Sequence, residues 1–102
     1  MLAGSALQGK TPEGHADFRS DARGRIRLNV EVEYVNLPAG TVLTVSVQEE
    51  QVVTSVGTIK LSAFGGGELE LNSEDGEAVP AVKKGDMVTV GNGGKRILAG
   101  VF

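Results

Sequence analysis

Between Arg25 and Val47 the chain alternates apolar and polar side chains along two arms. Ile26, Leu28, Val30 and Val32 alternate with Arg25, Arg27, Asn29, Glu31 and Glu33, and Leu43, Val45 and Val47 alternate with Val42, Thr44 and Ser46. A period of two places each set on one face of a strand. Both arms are therefore predicted as half-buried strands joined by the turn Asn36-Leu37-Pro38-Ala39-Gly40. Strands of this kind need a second sheet to cover them.

The same reading extends in both directions. Residues 2–9 are predicted as a first strand and 10–14 as the turn after it, with Ala16 and Phe18 inward on the next strand. Asp21-Ala22-Arg23-Gly24 closes a hairpin into the long arm, Gly24 supplying a positive φ. Beyond a polar turn at 48–51, residues 52–63 are strand-prone, with Val56, Ile59 and Leu61 inward and Gly57 marking a bulge. Gly65-Gly66-Gly67 turns into the short strand 68–71, and 72–76 is a polar loop. Val79-Pro80-Ala81-Val82 is extended, because a residue preceding proline is pushed out of the helical region. Met87-Val88-Thr89-Val90 and the segment 96–102 are joined by the hairpin signal Asn92-Gly93-Gly94-Lys95.

The expected architecture is one all-β domain over residues 1–102, a Greek-key or immunoglobulin-like β-sandwich of about eight antiparallel strands. Its expected core is Phe18, Ile26, Leu28, Val30, Val32, Leu43, Val45, Val47, Ile59, Leu61, Leu69, Leu71, Val88 and Val90.

Composition narrows the function classes. With a net charge of −3 and a pI near 5.1 there is no electrostatic footprint for nucleic acid. No apolar run approaches the ~20 residues of a membrane-spanning helix, so no membrane insertion is expected. The absence of cysteine removes disulfides and thiolate metal sites. The start of the chain lacks the basic and apolar regions of a signal peptide.

Chemistry-bearing residues are sparse. His15 is the single histidine and lacks the co-ligands of a zinc or copper site, so it is read as a surface residue. His15, Asp17 and Ser20 could be written as a triad, but they crowd one strand and no nucleophile motif holds the serine. The loop containing Asn72, Glu74, Asp75 and Glu77 offers oxygen ligands around Gly76, in outline a calcium site, without the EF-hand spacing or helices. Glu31 with Glu33, and Glu68 with Glu70, share strand faces and are read as solvated pairs balanced by Arg23, Arg25 and Arg27. The glycine-rich stretches do not precede a helix and so are turns, not phosphate cradles. Lys83-Lys84 and Lys95-Arg96 are read as edge protection. No catalytic residue and no cofactor is assigned.

Several segments in order resemble chordin-type (CHRD-like) domains. These are Ala6-Leu7-Gln8-Gly9, Gly14-His15-Ala16-Asp17-Phe18, the long alternating strand, Val56-Gly57, Gly85-Asp86-Met87-Val88-Thr89-Val90 and Ile97-Leu98-Ala99-Gly100-Val101-Phe102. The His-rich middle segment of such domains has no counterpart, Thr44-Val45-Ser46-Val47 standing in its place, so no metal role transfers. The resemblance implies an exported, extracytoplasmic and non-catalytic bacterial β-sandwich module.

The expected function is thus a structural or protein-interaction module. Its partner would be a protein or a second copy, bound through an exposed strand edge, with 97–102 as the candidate edge and a central strand as the competing placement. The alternative is a carbohydrate- or calcium-dependent adhesion module, which needs Tyr34 and Phe64 exposed as an aromatic platform. A small hydrolase comes last.

Overall fold

Among the described residues eight strands form, three of them (Ile26–Glu33, Val42–Glu49 and Met87–Asn92) where alternation and β-branched side chains coincide. They are β1 (Leu2–Ala3), β2 (Glu13–Ser20), β3 (Ile26–Glu33), β4 (Val42–Glu49), β5 (Val52–Lys60), β6 (Gly67–Asn72), β7 (Met87–Asn92) and β8 (Lys95–Val101). The computed structural model describes residues 2–4, 9, 11–20, 23–73, 82–93 and 95–102. Among them there is no α-helix, and hence none long and apolar enough to cross a membrane.

All pairings are antiparallel, in the order β5-β4-β7-β8-β1-β2-β3-β6. Two-residue β1 is the link: Leu2 and Ala3 pair with Gly14 and Glu13 of β2, and Ala3 also pairs with Ala99 of β8. On either side lie a four-stranded sheet, β5-β4-β7-β8, and a three-stranded one, β2-β3-β6. Of the predicted strand 2–9, the described residues show Leu2–Ala3 as strand. Gly4 leaves the ladder so close to β8 that a Cβ on it would overlap the Ile97 carbonyl oxygen, and 5–8 lie outside the described residues.

The two alternating arms do form strands, but they do not pair with each other. β3 pairs with β2 and β6, whereas β4 pairs with β5 and β7. The connection 34–41 therefore crosses between sheets, and each arm helps to cover the other. Leu28, Val30 and Val32 from one sheet and Leu43, Val45, Ile59, Val88 and Val90 from the other are all buried in a single cluster.

That core also takes in Leu2, Val35, Ile97 and Leu98, which the alternation did not select. Phe18 and Leu69 are only partly buried against it. Val35 is reached because Tyr34 adopts φ +59, unusual for a bulky residue. The left-handed residue lets Glu33 and Tyr34 both face solvent and returns the next side chain to the interior. Ile97 and Leu98 are buried in succession because the β7–β8 ladder skips a residue, pairing Gly91 with Arg96 but Val90 with Leu98. A second irregularity pairs Val45 with Gly57 but Ser46 with Ser55, so the extra residue is Val56, beside the predicted bulge.

The crossing loops are held by main-chain bonds. Val35 N–H donates to Gly65 O at 3.0 Å, Gly40 N–H to Leu61 O at 2.8 Å, and Leu61 N–H to Thr41 O at 2.9 Å. At the opposite end, the buried Asp86 accepts from Lys83 N–H at 2.8 Å, and Phe102 N–H donates to Asp86 O at 2.9 Å. This fixes the last strand against the turn before β7.

Candidate functional site

Of the oxygen ligands suggested for calcium, only Asn72 falls in the described part of the chain; Glu74, Asp75 and Glu77 lie outside it. Asn72 ends β6, opposite Arg27. The Ser73 hydroxyl next to it accepts from Ile26 N–H at 2.9 Å, a structural tie between β6 and β3. Among the described residues no three His, Asp or Glu side chains are placed to hold a metal ion.

His15, Asp17 and Ser20 do not converge. Alternation along β2 puts His15 and Asp17 on the outer face and Ser20 on the opposite parity at the strand end. His15 instead meets Glu31, its Nε2 lying 3.2 Å from Oε2. Register extends this row to Glu68, since Glu31 pairs with both His15 and Glu68.

Along the ladder the outward carboxylates meet one another. Glu13 faces Glu33, Glu31 faces Glu68, and Asp17 and Glu70 flank Asn29, while Arg19 and Arg27 pair with each other nearer the strand end. Like charges directly opposite each other are unfavourable in a sheet. Their consequence is local: a hydrogen bond with Glu31 raises the Glu68 pKa above the ordinary carboxylate value, with desolvation and the charges of Glu31 and Glu70 adding to it.

The sign of the pH effect follows. A carboxyl whose pKa is raised by folding binds its proton more tightly in the folded chain. Its stabilising contribution is complete below the unfolded pKa and is lost as pH rises through the folded value. Glu68→Gln is therefore expected to raise the thermal midpoint at neutral pH and to reduce the gain seen on acidification. Melting curves of both proteins from about pH 4 to about pH 8 check this. Parallel profiles without an offset would show that the pair has no energetic effect.

Two other surfaces stand out. Tyr34 and Phe64 are 53% and 93% exposed, so the aromatic platform required for a sugar-binding module is not buried. Their backbones are neighbours, because Val35 N–H bonds to the carbonyl of Gly65. The second surface is β5. Among the described residues its outer side has no strand partner, and 52–55 are exposed throughout, Val52 at 65% and Val53 at 59%. Nearer its end, β5 is shielded by β6: a Cβ on Gly57 would meet Leu69, and one on Gly67 would meet Ile59.

The candidate edge 97–102 is not free. Lys95–Val101 pairs along its length with β7, and Ala99 also pairs with β1. The strand is internal to the order, between β7 and β1, and of its apolar residues Ile97 and Leu98 are buried while Val101 is exposed. Alternation tells which face of a strand is buried and not whether a neighbour lies beside it. The one signal for β5 was the uncharged run Val52-Val53-Thr54-Ser55, which lacks the lysine or proline that usually blunts an edge.

Comparison with family models, with curated proteins and with solved structures gave no significant match.

Proposed function

We propose that the chain is a non-catalytic protein-interaction module of an exported protein, a Greek-key sandwich of the chordin type that binds by strand addition at β5. The observation that carries this reading is the half-edge 52–55, exposed and uncharged, β-branched at 52–54, with no described strand on its open side. Such an edge presents main-chain donors and acceptors to an incoming strand. The Greek-key part is supported by β6, which returns beside β3 after the β4–β5 hairpin in the other sheet. The extracytoplasmic placement follows from the sequence resemblance.

A second copy is the simplest partner, because antiparallel pairing of β5 with itself is self-complementary about a two-fold axis. Four residues form a small contact, so the association is expected to be weak, with Kd of about 0.1–1 mM. Sedimentation velocity over a concentration series should show a monomer–dimer equilibrium. Val52→Lys combined with Thr54→Lys should abolish it while leaving the thermal midpoint nearly unchanged. A chain that stays monomeric at about 1 mM, or a variant that dimerises as well as the parent, would contradict self-pairing at this edge.

A second reading, a carbohydrate-dependent adhesion module, is favoured by the exposure of Tyr34 and Phe64 on adjoining, hydrogen-bonded loops.

A further inference from the structure

The outer faces of the two sheets differ in charge. On the three-stranded sheet lie Glu13, Asp17, Glu31, Glu33, Glu68 and Glu70, with Arg19 and Arg27 at one end. On β5-β4-β7-β8 the register aligns Thr58, Thr44, Gly91 and Arg96 in one row and Ser55, Ser46, Thr89 and Ala99 in the next. Among the described residues the outward-facing strand positions of that sheet carry no carboxylate, Glu49 having the opposite parity at the end of β4; their charged groups are the cations Lys60 and Arg96, and Lys95 lines the groove beside Arg96. No described carboxylate forms an ion pair with Lys95 or Arg96.

The face is also hollow. Its small side chains leave an open groove of about 400 Å³, floored by Thr44, Ser46 and Thr89, with Gln48 toward one end and Lys95 and Arg96 at the other. The irregularities at Val56 and Ile97 lie on the two flanks of the β4–β7 pair. Bulges bend and twist a sheet and recur beside binding sites.

We propose that this groove binds an anionic polysaccharide, a chain of uronic acid sugars, with its hydroxyls on the Ser/Thr floor and a carboxylate on Lys95 and Arg96. The inference rests on the carbohydrate reading above and moves its site from the aromatic loops to the sheet face. Each floor hydroxyl both donates and accepts, which matches sugar hydroxyls. Exchanging water for sugar hydrogen bonds gives little net affinity, and no aromatic ring lines the groove to add stacking. The charge-assisted bonds of a lysine and a fork-shaped guanidinium to a carboxylate supply what the floor lacks.

Titration of the full chain, followed by calorimetry and amide shifts, compares three probes. Oligogalacturonate has hydroxyls and carboxylates, dextran has hydroxyls alone, and polyglutamate has carboxylates alone. Only oligogalacturonate is expected to bind with shifts centred on Thr44, Ser46 and Thr89, and added salt should weaken it. Lys95→Glu with Arg96→Glu should reduce that affinity about tenfold or more, with melting curves confirming the fold. Arg96→Lys should retain part of it, and the β5 edge variant should bind as the parent does. Polyglutamate binding equally well, no oligogalacturonate binding, or an unaffected charge-reversal variant would overturn the proposal. Dextran binding with shifts at Tyr34 and Phe64 alone would overturn it while leaving the carbohydrate reading intact; no sugar binding anywhere would remove both.

Discussion

Replacement of Leu98 by alanine is expected to destabilise the chain by about 3–5 kcal/mol, the range for emptying a fully enclosed leucine site. Leu98 has no solvent exposure and belongs to the cluster shared by both sheets. A domain of this size is stable by about 5–15 kcal/mol, so this one substitution removes a large part of the total. Thermal midpoint should fall by about 15–30 °C. Val101→Ala, three residues on in the same strand, should change it little, because Val101 is 60% exposed. Equal small effects at both positions would mean that β8 is a peripheral strand. Equal large effects would mean that Val101 is covered by something beyond the described residues.

Gly65→Ala is expected to cost about 3 kcal/mol or more, for two separable reasons. Gly65 has φ +77, where a side chain meets the following carbonyl and loses about 1–2 kcal/mol. A Cβ there would also overlap the Val35 carbonyl oxygen, main chain that cannot move without breaking the Val35–Gly65 hydrogen bond. Gly40→Ala isolates the first term, since Gly40 has φ +85 but open space around its missing Cβ, and about 1 kcal/mol is expected. Chemical denaturation of the two variants measures the difference. Equal losses would show that the loop pair yields freely and does not hold Tyr34 and Phe64 in place.

What the amino-acid pattern revealed, and what it hid, has a physical division. Period-two alternation reports which face of a strand is buried, and it placed Leu28, Val30, Val32, Leu43, Val45 and Val47 correctly. Glycine reports special backbone, and Gly24 and Gly93 do turn with positive φ. Neither signal reports lateral neighbours. Hence the sequence-adjacent arms β3 and β4 lie in different sheets, and the apolar C-terminal segment is internal while β5 takes the edge. Core residues were missed where alternation breaks. Val35 follows a left-handed tyrosine, Ile97 and Leu98 sit at a bulge, and Leu2 belongs to a two-residue strand.

The candidate site was less legible than the fold. The hydroxyls of Thr44 and Ser46 were visible only as the polar half of an alternation, and they become a groove floor once β7 brings Thr89 beside them. The glutamates of β3 and β6 were expected to be balanced by nearby arginines. Register sets Glu31 against Glu68 and pairs Arg19 with Arg27 nearer the strand end.

The central claim is that β5 presents the open edge and β8 does not, and amide hydrogen exchange tests it most directly. In dilute solution the amides of 52–55 that β4 does not hold should exchange fast, while those of Ile97, Leu98 and Ala99 exchange only with global unfolding. Raising the protein concentration should slow the first group alone, as copies pair. Slow exchange at 52–55 in dilute solution, or fast exchange at 97–99, would contradict the account.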